Sequence, residues 1–337
     1  MPEPILRLKG LEQVFQTRKG AVPAVGGVDI DITPGKVVCV VGESGCGKTT
    51  TARAAAGLAR PTGGSVEYQG RDVYSLKGAA YKDFRMGVQY IHQDPYAALN
   101  PIRTVLSSLT AGLRRHRVVT TKKQARQRAA ELLELVDLTP PETYLDKHPN
   151  QMSGGQRQRV NVARALALDP KVIIADEPTS MLDVSIRVSL LNTMSRLRDD
   201  LGVGFMMITH DLAVAKYFAW DGEIAVMYLG KVVEKGPTPQ IINDPQHPYT
   251  KALIAAVCEP DPRLAKSGDK SGGLRSAEIP DLTDLPSGCS FHPRCPLFKS
   301  GDCDTVTPPL AELDGKRRLA CTVVSRDHAQ AAEKVAS

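Results

Sequence analysis

The clearest chemistry in the sequence lies at GESGCGKTT, which runs from Gly42 to Thr50 and fits the phosphate-loop pattern G-x-x-x-x-G-K-[ST]. Glycines let the backbone curl so that several N–H groups point at an anion. An apolar run, KVVCVV, precedes the loop and the helix formers TTTARAAAGL follow it, so we expect strand, loop and helix in that order. Lys48 would reach the β- and γ-phosphates of a nucleotide, and the Thr49 hydroxyl would ligate Mg²⁺.

Every residue of this loop is a predicted nucleotide contact. The set is Gly42, Glu43, Ser44, Gly45, Cys46, Gly47, Lys48, Thr49 and Thr50. Cys46 lies near a helix N-terminus, which lowers the pKa of a thiol. The sequence therefore predicts a reactive Cys46 whose alkylation blocks ATP binding and which ATP protects.

Two adjacent acids end a second apolar run. VIIA, from Val172 to Ala175, is typical of a buried parallel strand, and Asp176 and Glu177 follow it. Ligands bind at the carboxyl ends of such strands in open α/β sheets. Asp176 would hold Mg²⁺ directly or through water, which leaves Glu177 to polarise an attacking water. A single acid here would more often cap a helix.

Other polar residues stand at similar boundaries. Ser153 precedes two glycines and a helical run, so it predicts a helix N-terminus with free N–H groups, a second anion-binding end. His210 ends the apolar run GVGFMMIT, where it could contact a γ-phosphate, although a lone histidine is more often structural. Gln93 lies between apolar residues and Pro95. Phe15 could stack on a base or be an ordinary strand core residue.

Length and composition limit the classes of protein. A chain of 337 residues with 42% hydrophobic residues suits one large domain and a smaller appendage. The net charge of +6 does not call for nucleic acid, and we expect the basic residues between Arg114 and Arg128 to form a solvated helix face. No apolar run reaches the ~18 residues of a membrane span, and the first residues do not resemble a signal peptide. We expect a cytosolic protein.

The order of apolar patterns predicts an α/β fold. Residues 5–33 suit two or three antiparallel strands, residues 104–138 suit helix, and residues 223–236 suit a strand pair that closes the sheet.

Six features occur together in this order: the glycine loop, Gln93, SGGQ, VIIADE, SMLD and His210. Over residues 5–236 this set resembles the ATPase subunit of the ABC superfamily. The resemblance implies an ABC-type P-loop NTPase with a RecA-like core, an antiparallel β subdomain and a helical subdomain at about 95–165. It also implies two such domains paired head to tail, with each ATP between one glycine loop and the other domain's SGGQ. A kinase or GTPase is disfavoured by SGGQ and by the absence of an N-K-x-D stretch.

The same resemblance implies a role for each feature. Glu177 would be the general base, Gln93 would contact Mg²⁺ and the attacking water, and His210 would brace the γ-phosphate. Phe15 would stack on adenine and Asp183 would signal across the dimer. The clamp on the partner's ATP would consist of Ser153, Gly154, Gly155 and Gln156.

After Gly236 the stretch PTPQIINDPQHPYTKALIAAV resembles dipeptide and oligopeptide importers. This implies an ATPase domain over 1–250 and an importer-type extension over 251–337, at the cytoplasmic face of the membrane. The implied partners are a second, different ATPase subunit, two transmembrane permease subunits and an extracytoplasmic solute-binding protein, with no nucleic acid. Import of nickel or oligosaccharide, or a soluble non-transport ABC ATPase, are the alternatives.

Four of the seven cysteines lie in this extension, spaced C-x5-C-x7-C-x17-C: Cys289, Cys295, Cys303 and Cys321. Four thiolates in a core-poor tail suit structural zinc or an iron–sulfur cluster, and unliganded thiols are the remaining alternative. The importer resemblance favours a [4Fe–4S] cluster, with His292 structural. Cys39 is predicted to be buried packing, Cys258 has no assigned role, and residues 260–288 suit a linker.

Overall fold

The computed structural model describes residues 3–18, 20–256 and 273–336. Cys258 and the first part of the linker predicted over 260–288 lie outside the described residues. The described strands are β1 Leu6–Thr17, β2 Gly20–Ile32, β3 Val37–Val41, β4 Gly63–Tyr68, β5 Arg71–Asp72, β6 Val88–Ile91, β7 Val172–Asp176, β8 Gly204–Thr209, β9 Glu223–Tyr228, β10 Lys231–Pro237, β11 Ala311–Glu312 and β12 Arg318–Leu319.

Helices fill most of the intervals between these strands. The described α-helices are α1 Lys48–Ala55, α2 Gly78–Gly87, α3 Pro95–Ala98, α4 Val105–Arg115, α5 Lys122–Leu135, α6 Glu142–Leu145, α7 Gly154–Leu166, α8 Val184–Leu201, α9 Leu212–Phe218, α10 Thr238–Asn243, α11 Pro248–Ala255 and α12 Thr322–Ala336. None of these helices is long and apolar enough to cross a membrane.

The central sheet places its strands, among the described residues, in the order β11-β12-β10-β9-β3-β8-β7-β6. From β9 to β6 the neighbouring strands are parallel, and β10 and β12 add antiparallel pairs at the far edge. Every residue of β3, β7 and β8 is buried, as expected for parallel strands with both faces covered. The carboxyl ends of β3, β7 and β8 therefore meet at one edge, where ligands bind in such sheets.

A second, antiparallel sheet has the order β2-β1-β4-β5 in the described part of the chain. Strands β1 and β2 pair along their whole lengths, from Leu6 opposite Ile32 to Thr17 opposite Gly20. The prediction of antiparallel strands over residues 5–33 is confirmed, as is the strand pair over 223–236.

Side chains alternate between two apolar cores on either side of the central sheet. In β3, Val37, Cys39 and Val41 join one core while Val38 and Val40 join the other, as the period of two in a strand requires. Cys39 is fully buried, so its prediction as core packing is confirmed.

The predicted helical stretch over 104–138 divides into α4 and α5. A new helix begins after Thr121, because its side chain accepts from the Gln124 N–H and the Gln124 side chain binds back to the Thr121 N–H. Near the other end of the chain, the extension joins the fold through the antiparallel pair of β12 with β10 and through Phe291 and Cys295 in the first core.

Candidate functional site

The glycine loop connects the end of β3 to the start of α1. Gly45 and Gly47 have φ values of 80° and 100°, in the left-handed region that favours glycine. A Cβ atom on Gly47 would lie 2.2 Å from the carbonyl oxygen of Ala24, so a larger residue does not fit there. The backbone can therefore curl tightly enough to present N–H groups at the N-terminus of α1.

A cavity of about 200 Å³ opens in front of this loop. Gln93 and Glu177 reach it from the ends of other strands. Its described lining is Ala24, Ser44, Gly45, Gly47, Lys48, Thr49, Thr50, Gln93 and Glu177. The structure thus brings together most of the loop residues predicted from the sequence and two of the three predicted catalytic residues.

The Lys48 ammonium group is held inside the loop. Its Nζ atom donates to the carbonyl oxygens of Gly42 and Glu43, each at 2.8 Å, and the residue is only 5% exposed. Two backbone carbonyls therefore set the position of the cation that the sequence predicts for the phosphates.

Thr49 and Asp176 form one corner of the site. The Thr49 hydroxyl donates to Oδ1 of Asp176 at 3.0 Å, and the Tyr90 hydroxyl donates to Oδ2 at 2.8 Å. Burial raises the pKa of Asp176, and these two hydrogen bonds oppose that effect because they favour the charged carboxylate. A hydroxyl and a carboxylate oxygen this close are suitable donors for Mg²⁺, which takes oxygen ligands. The residues present fit the predicted ion.

Glu177 is the centre of a second group of side chains. Its Oε2 atom accepts from Gln93 Nε2 at 3.3 Å and lies 3.1 Å from His210 Nδ1. Its φ of 44° is a strained conformation for a residue other than glycine, and such strain is concentrated at functional sites. The ends of β6, β7 and β8 supply these three side chains, so the predicted catalytic residues do meet.

The segment after Gln93 is tied to helix α7. The Arg157 guanidinium lies over the Tyr96 ring, 4.1 Å from its centroid, and Arg164 donates to the Ala98 carbonyl oxygen. Asn161 donates to the carbonyl oxygen of His92, the residue before Gln93. These contacts join the segment to α7, at whose N-terminus the SGGQ stretch lies.

Ser153 is the N-cap of α7, as predicted. Its hydroxyl accepts from the Gln156 N–H at 3.3 Å, while Gln156 Oε1 accepts from the Ser153 N–H at 3.0 Å. Gly155 packs against α8, where an added Cβ would lie 2.7 Å from Ile186. None of Ser153, Gly154, Gly155 and Gln156 is among the described residues that line the cavity at Lys48.

The environment of Cys46 contradicts the prediction of a reactive thiol. Its side chain is 2% exposed and packs in the second core, and burial raises the pKa of the thiol despite the nearby Lys48 ammonium. Desolvation of the thiolate exceeds the effect of the helix N-terminus. The prediction of a reactive, ATP-protected Cys46 is wrong in its premise.

Two other residues are placed differently from the expectations. Glu43 does not face the cavity, because its carboxylate binds Arg294 of the extension at 2.9 and 3.1 Å. Phe15 is 45% exposed, so it is not a strand core residue, and its stacking on adenine stays a prediction. Sequence reasoning missed Tyr90 and Arg294, since no local pattern marks a contact partner from a distant element.

The four extension cysteines line one small cavity together with His247 and His292. Burial raises the pKa of Cys289, Cys321 and Cys295, the last to about 12. Across residues 3–18, 20–256 and 273–336, no group of three or more His, Cys, Asp or Glu side chains has the arrangement to hold a single metal ion. The structure therefore supports neither zinc nor an iron–sulfur cluster at these cysteines, and the [4Fe–4S] cluster stays a prediction.

The fold and the site define an ATP-binding cassette. A family model described as "ABC transporter" matches residues 25–180, and one described as "Oligopeptide/dipeptide transporter, C-terminal region" matches residues 233–303. The dimeric ATP-binding cassette MJ0796, solved with ADP and Pi, is 29% identical, with a TM-score of 0.62 over 69% of this chain and 98% of its own. This chain is an ABC-type ATPase.

Two relatives narrow the family. The dipeptide transport ATP-binding protein DppF of Escherichia coli is 39% identical over 97% of this chain and 96% of its own. The probable peptide ABC transporter ATP-binding protein y4tS of Sinorhizobium fredii is 41% identical over 92% of this chain and 85% of its own. The chain belongs to the ATP-binding subunits of the oligopeptide/dipeptide ABC transporter family.

Proposed function

We propose that this chain hydrolyses ATP to drive the import of dipeptides or oligopeptides through a membrane transporter. The observation that supports the hydrolysis most directly is the meeting of Gln93, Glu177 and His210 beside the glycine loop. The solute class rests on the family model over residues 233–303 and on the names of the relatives.

The site residues divide between binding and chemistry. Lys48 and the N–H groups of Ser44 to Thr50 bind the phosphates, and Phe15 stacks on adenine. Thr49 and Asp176, with Gln93, would hold a Mg²⁺ ion, which would supply charge neutralisation at the phosphates. Glu177 accepts the proton of the attacking water while Gln93 and His210 hold its carboxylate in place.

The SGGQ stretch completes the site of a second subunit in this proposal. Ser153 caps α7 through its oxygen lone pair, so its hydroxyl hydrogen and the free N–H groups of the helix start are available to a γ-phosphate. The partner is a different ATPase subunit, paired head to tail. Asp183, the exposed N-cap of α8, lies in the loop that signals across this interface.

A groove of about 450 Å³ is the proposed contact with the membrane subunits. Its walls come from the segment around Gln93 and from α4 and α7, and they include His92, Arg103 and Arg164. Ile102, the residue before Arg103 in the sequence, is 84% exposed. A short helix of a permease subunit in this groove would press on the segment tied to α7 and so couple closure to transport. In this proposal the chain lies at the cytoplasmic face of the membrane.

The division of the chain follows from the same proposal. Residues 1–250 form the ATPase domain, with α3 to α7 as its helical subdomain, and residues 251–337 form the importer-type extension. The extension would hold a [4Fe–4S] cluster through Cys289, Cys295, Cys303 and Cys321, which line one shared cavity. Cluster binding would offset the burial that disfavours the free thiolates.

The test of function is reconstitution. The chain is co-expressed with its permease subunits and second ATPase, placed in proteoliposomes, and assayed with binding protein loaded with peptide, nickel or oligosaccharide. We expect ATP hydrolysis and solute uptake to be stimulated by peptide alone. Ser153→Arg should abolish hydrolysis at the partner's loop and spare nucleotide binding at this chain's loop. Full hydrolysis by a strictly monomeric sample would refute the composite site.

The cluster has a separate test. After anaerobic purification we expect a visible absorption band and about four irons per chain. Cys303→Ser should remove both, whereas Cys39→Ser, which alters a cysteine of the ATPase core, should remove neither. Zinc in place of iron, or a colourless iron-free protein, would contradict the cluster.

A further inference from the structure

Glu43, the second residue of the glycine loop, is held by two groups from beyond the central sheet. Its carboxylate forms a bidentate ion pair with Arg294, with Nη1 to Oε2 at 2.9 Å and Nη2 to Oε1 at 3.1 Å. Its backbone N–H donates to the Tyr249 hydroxyl at 2.9 Å. The first contact joins residues 251 positions apart and the second joins residues 206 positions apart. Both restrain the same residue of the loop.

Arg294 is itself fixed firmly enough to act as a support. It is 5% exposed, and its guanidinium lies 5.7 Å from the ring centroids of both Tyr228 and Phe291. These rings and the Tyr249 ring contact one another, with centroids 4.6 to 5.4 Å apart. An arginine fork between aromatic faces loses little further freedom when it pairs with a carboxylate.

The restraint on Glu43 also affects the position of the Lys48 ammonium group. The carbonyl oxygen of Glu43 is one of the two acceptors that hold the Lys48 ammonium. The Arg294 guanidinium also neutralises the Glu43 carboxylate, whose unpaired charge on the loop would otherwise oppose the binding of an anion. Loss of Arg294 would therefore loosen the loop and add an opposing charge.

We propose that Arg294 is a positioning residue for nucleotide binding, through which the extension holds the glycine loop, with the Tyr249 hydroxyl as its second support. The inference rests on the proposed role of the loop as the ATP site. It assigns the extension an effect on ATP affinity. Arg294 touches no nucleotide and acts only through Glu43.

The experiment measures equilibrium binding of a fluorescent ATP analogue to the full chain, with thermal unfolding of the same samples. For Arg294→Met we expect the nucleotide Kd to rise about tenfold. This corresponds to the lower end of the free energy that hydrogen bonds to charged groups contribute. Tyr249→Phe removes one hydroxyl and should raise the Kd by roughly two- to threefold. In the reconstituted transporter, Arg294→Met should raise the KM for ATP and leave kcat at saturating ATP within about twofold.

Arg317→Met is the matched control. Arg317 is also buried in the extension and ion-paired, with Asp244 and Asp314, but among the described residues it has no contact to the loop. This control should lower the unfolding temperature without changing the Kd. Glu43→Gln combined with Arg294→Met should restore only the part of the lost affinity that the unpaired charge causes, and the part that the unsupported loop causes should remain.

Two outcomes overturn the inference: an Arg294→Met Kd no higher than that of Arg317→Met, or a double variant whose Kd is fully restored, which would leave no effect of positioning. Lys48→Ala separates this inference from the proposed function. If Lys48→Ala keeps full nucleotide affinity, the site assignment is wrong. If Lys48→Ala loses binding while Arg294→Met does not, only the role of Arg294 is refuted.

Discussion

Replacing Glu177 by glutamine tests the proposed chemistry with little change in shape. The side chain keeps its length and still presents an oxygen to Gln93 Nε2, which now lies 3.3 Å from Glu177 Oε2. The amide cannot accept a proton from water. The backbone strain at φ 44° is unchanged, because a glutamine meets the same steric limits as a glutamate.

The expected loss follows from the one function removed. A positioned general base contributes roughly 10²- to 10⁴-fold to a rate, so kcat should fall by that factor, which corresponds to about 3–5 kcal/mol in the barrier. The groups proposed to bind phosphate, Lys48 and the loop amides, lie on another element. Nucleotide Kd should therefore stay within about twofold of the unmodified chain.

The assay is phosphate release by the reconstituted transporter, paired with binding of a fluorescent nucleotide. Glu131→Gln is the matched control, since Glu131 is a partly exposed glutamate of α5 that pairs with Arg128 and lies outside the cavity lining. It should change neither quantity. Turnover of Glu177→Gln within about tenfold of normal would mean that another group accepts the proton, and the assignment of Glu177 would be refuted.

Three further predictions concern Tyr90, Cys46 and His247. Tyr90→Phe removes a hydrogen bond worth about 1.5–3 kcal/mol to the charged Asp176 carboxylate. The pKa of Asp176 should therefore rise further. A Mg²⁺ titration of turnover should show that a several-fold higher Mg²⁺ concentration is needed, and the difference should grow as the pH falls from 8 to 6. Cys46 should resist iodoacetamide at neutral pH until the protein unfolds, as peptide mass analysis can show, and native labelling blocked by ATP would contradict its burial. Burial lowers the pKa of His247 from 6.5 to about 3. The contribution of His247 to stability is then full above pH 6.5 and falls as the pH drops towards 3, because only the unfolded chain takes up the proton. Between pH 7 and pH 5.5, the free energy of unfolding measured in urea should fall by about 1 kcal/mol more in the unmodified chain than in His247→Asn.

Several parts of the site were predictable because their chemistry depends on local order along the chain. The glycine loop needs a strand before it and a helix after it, and both neighbours can be read from residues 36–58. The two acids after VIIA end a buried strand, which places them at the ligand edge of a parallel sheet. Ser153 caps a helix through bonds to residues three positions away, so its place at a helix start was also predictable.

The direction in which each side chain points was not predictable in the same way. Cys46 is in the loop but faces the core, and Glu43 is in the loop but faces the extension. Tyr90 reaches Asp176 only because β6 and β7 are neighbours in the sheet, with Tyr90 opposite Ile174. The sequence pattern assigns every loop residue to the nucleotide, whereas packing around the loop turns some of these side chains towards the core or the extension.

The sequence by itself determined the class of protein. Motif order and spacing indicate a phosphate loop, a predicted pair of Mg²⁺ ligands, Thr49 and Asp176, and a second helix N-terminus after Ser153. Only the tertiary structure decided that the extension reaches the loop, where Arg294 binds Glu43 across 251 positions of chain. The physical reason is that a long-range ion pair leaves no periodicity or spacing in the sequence. It exists only when the fold has brought both partners to one place.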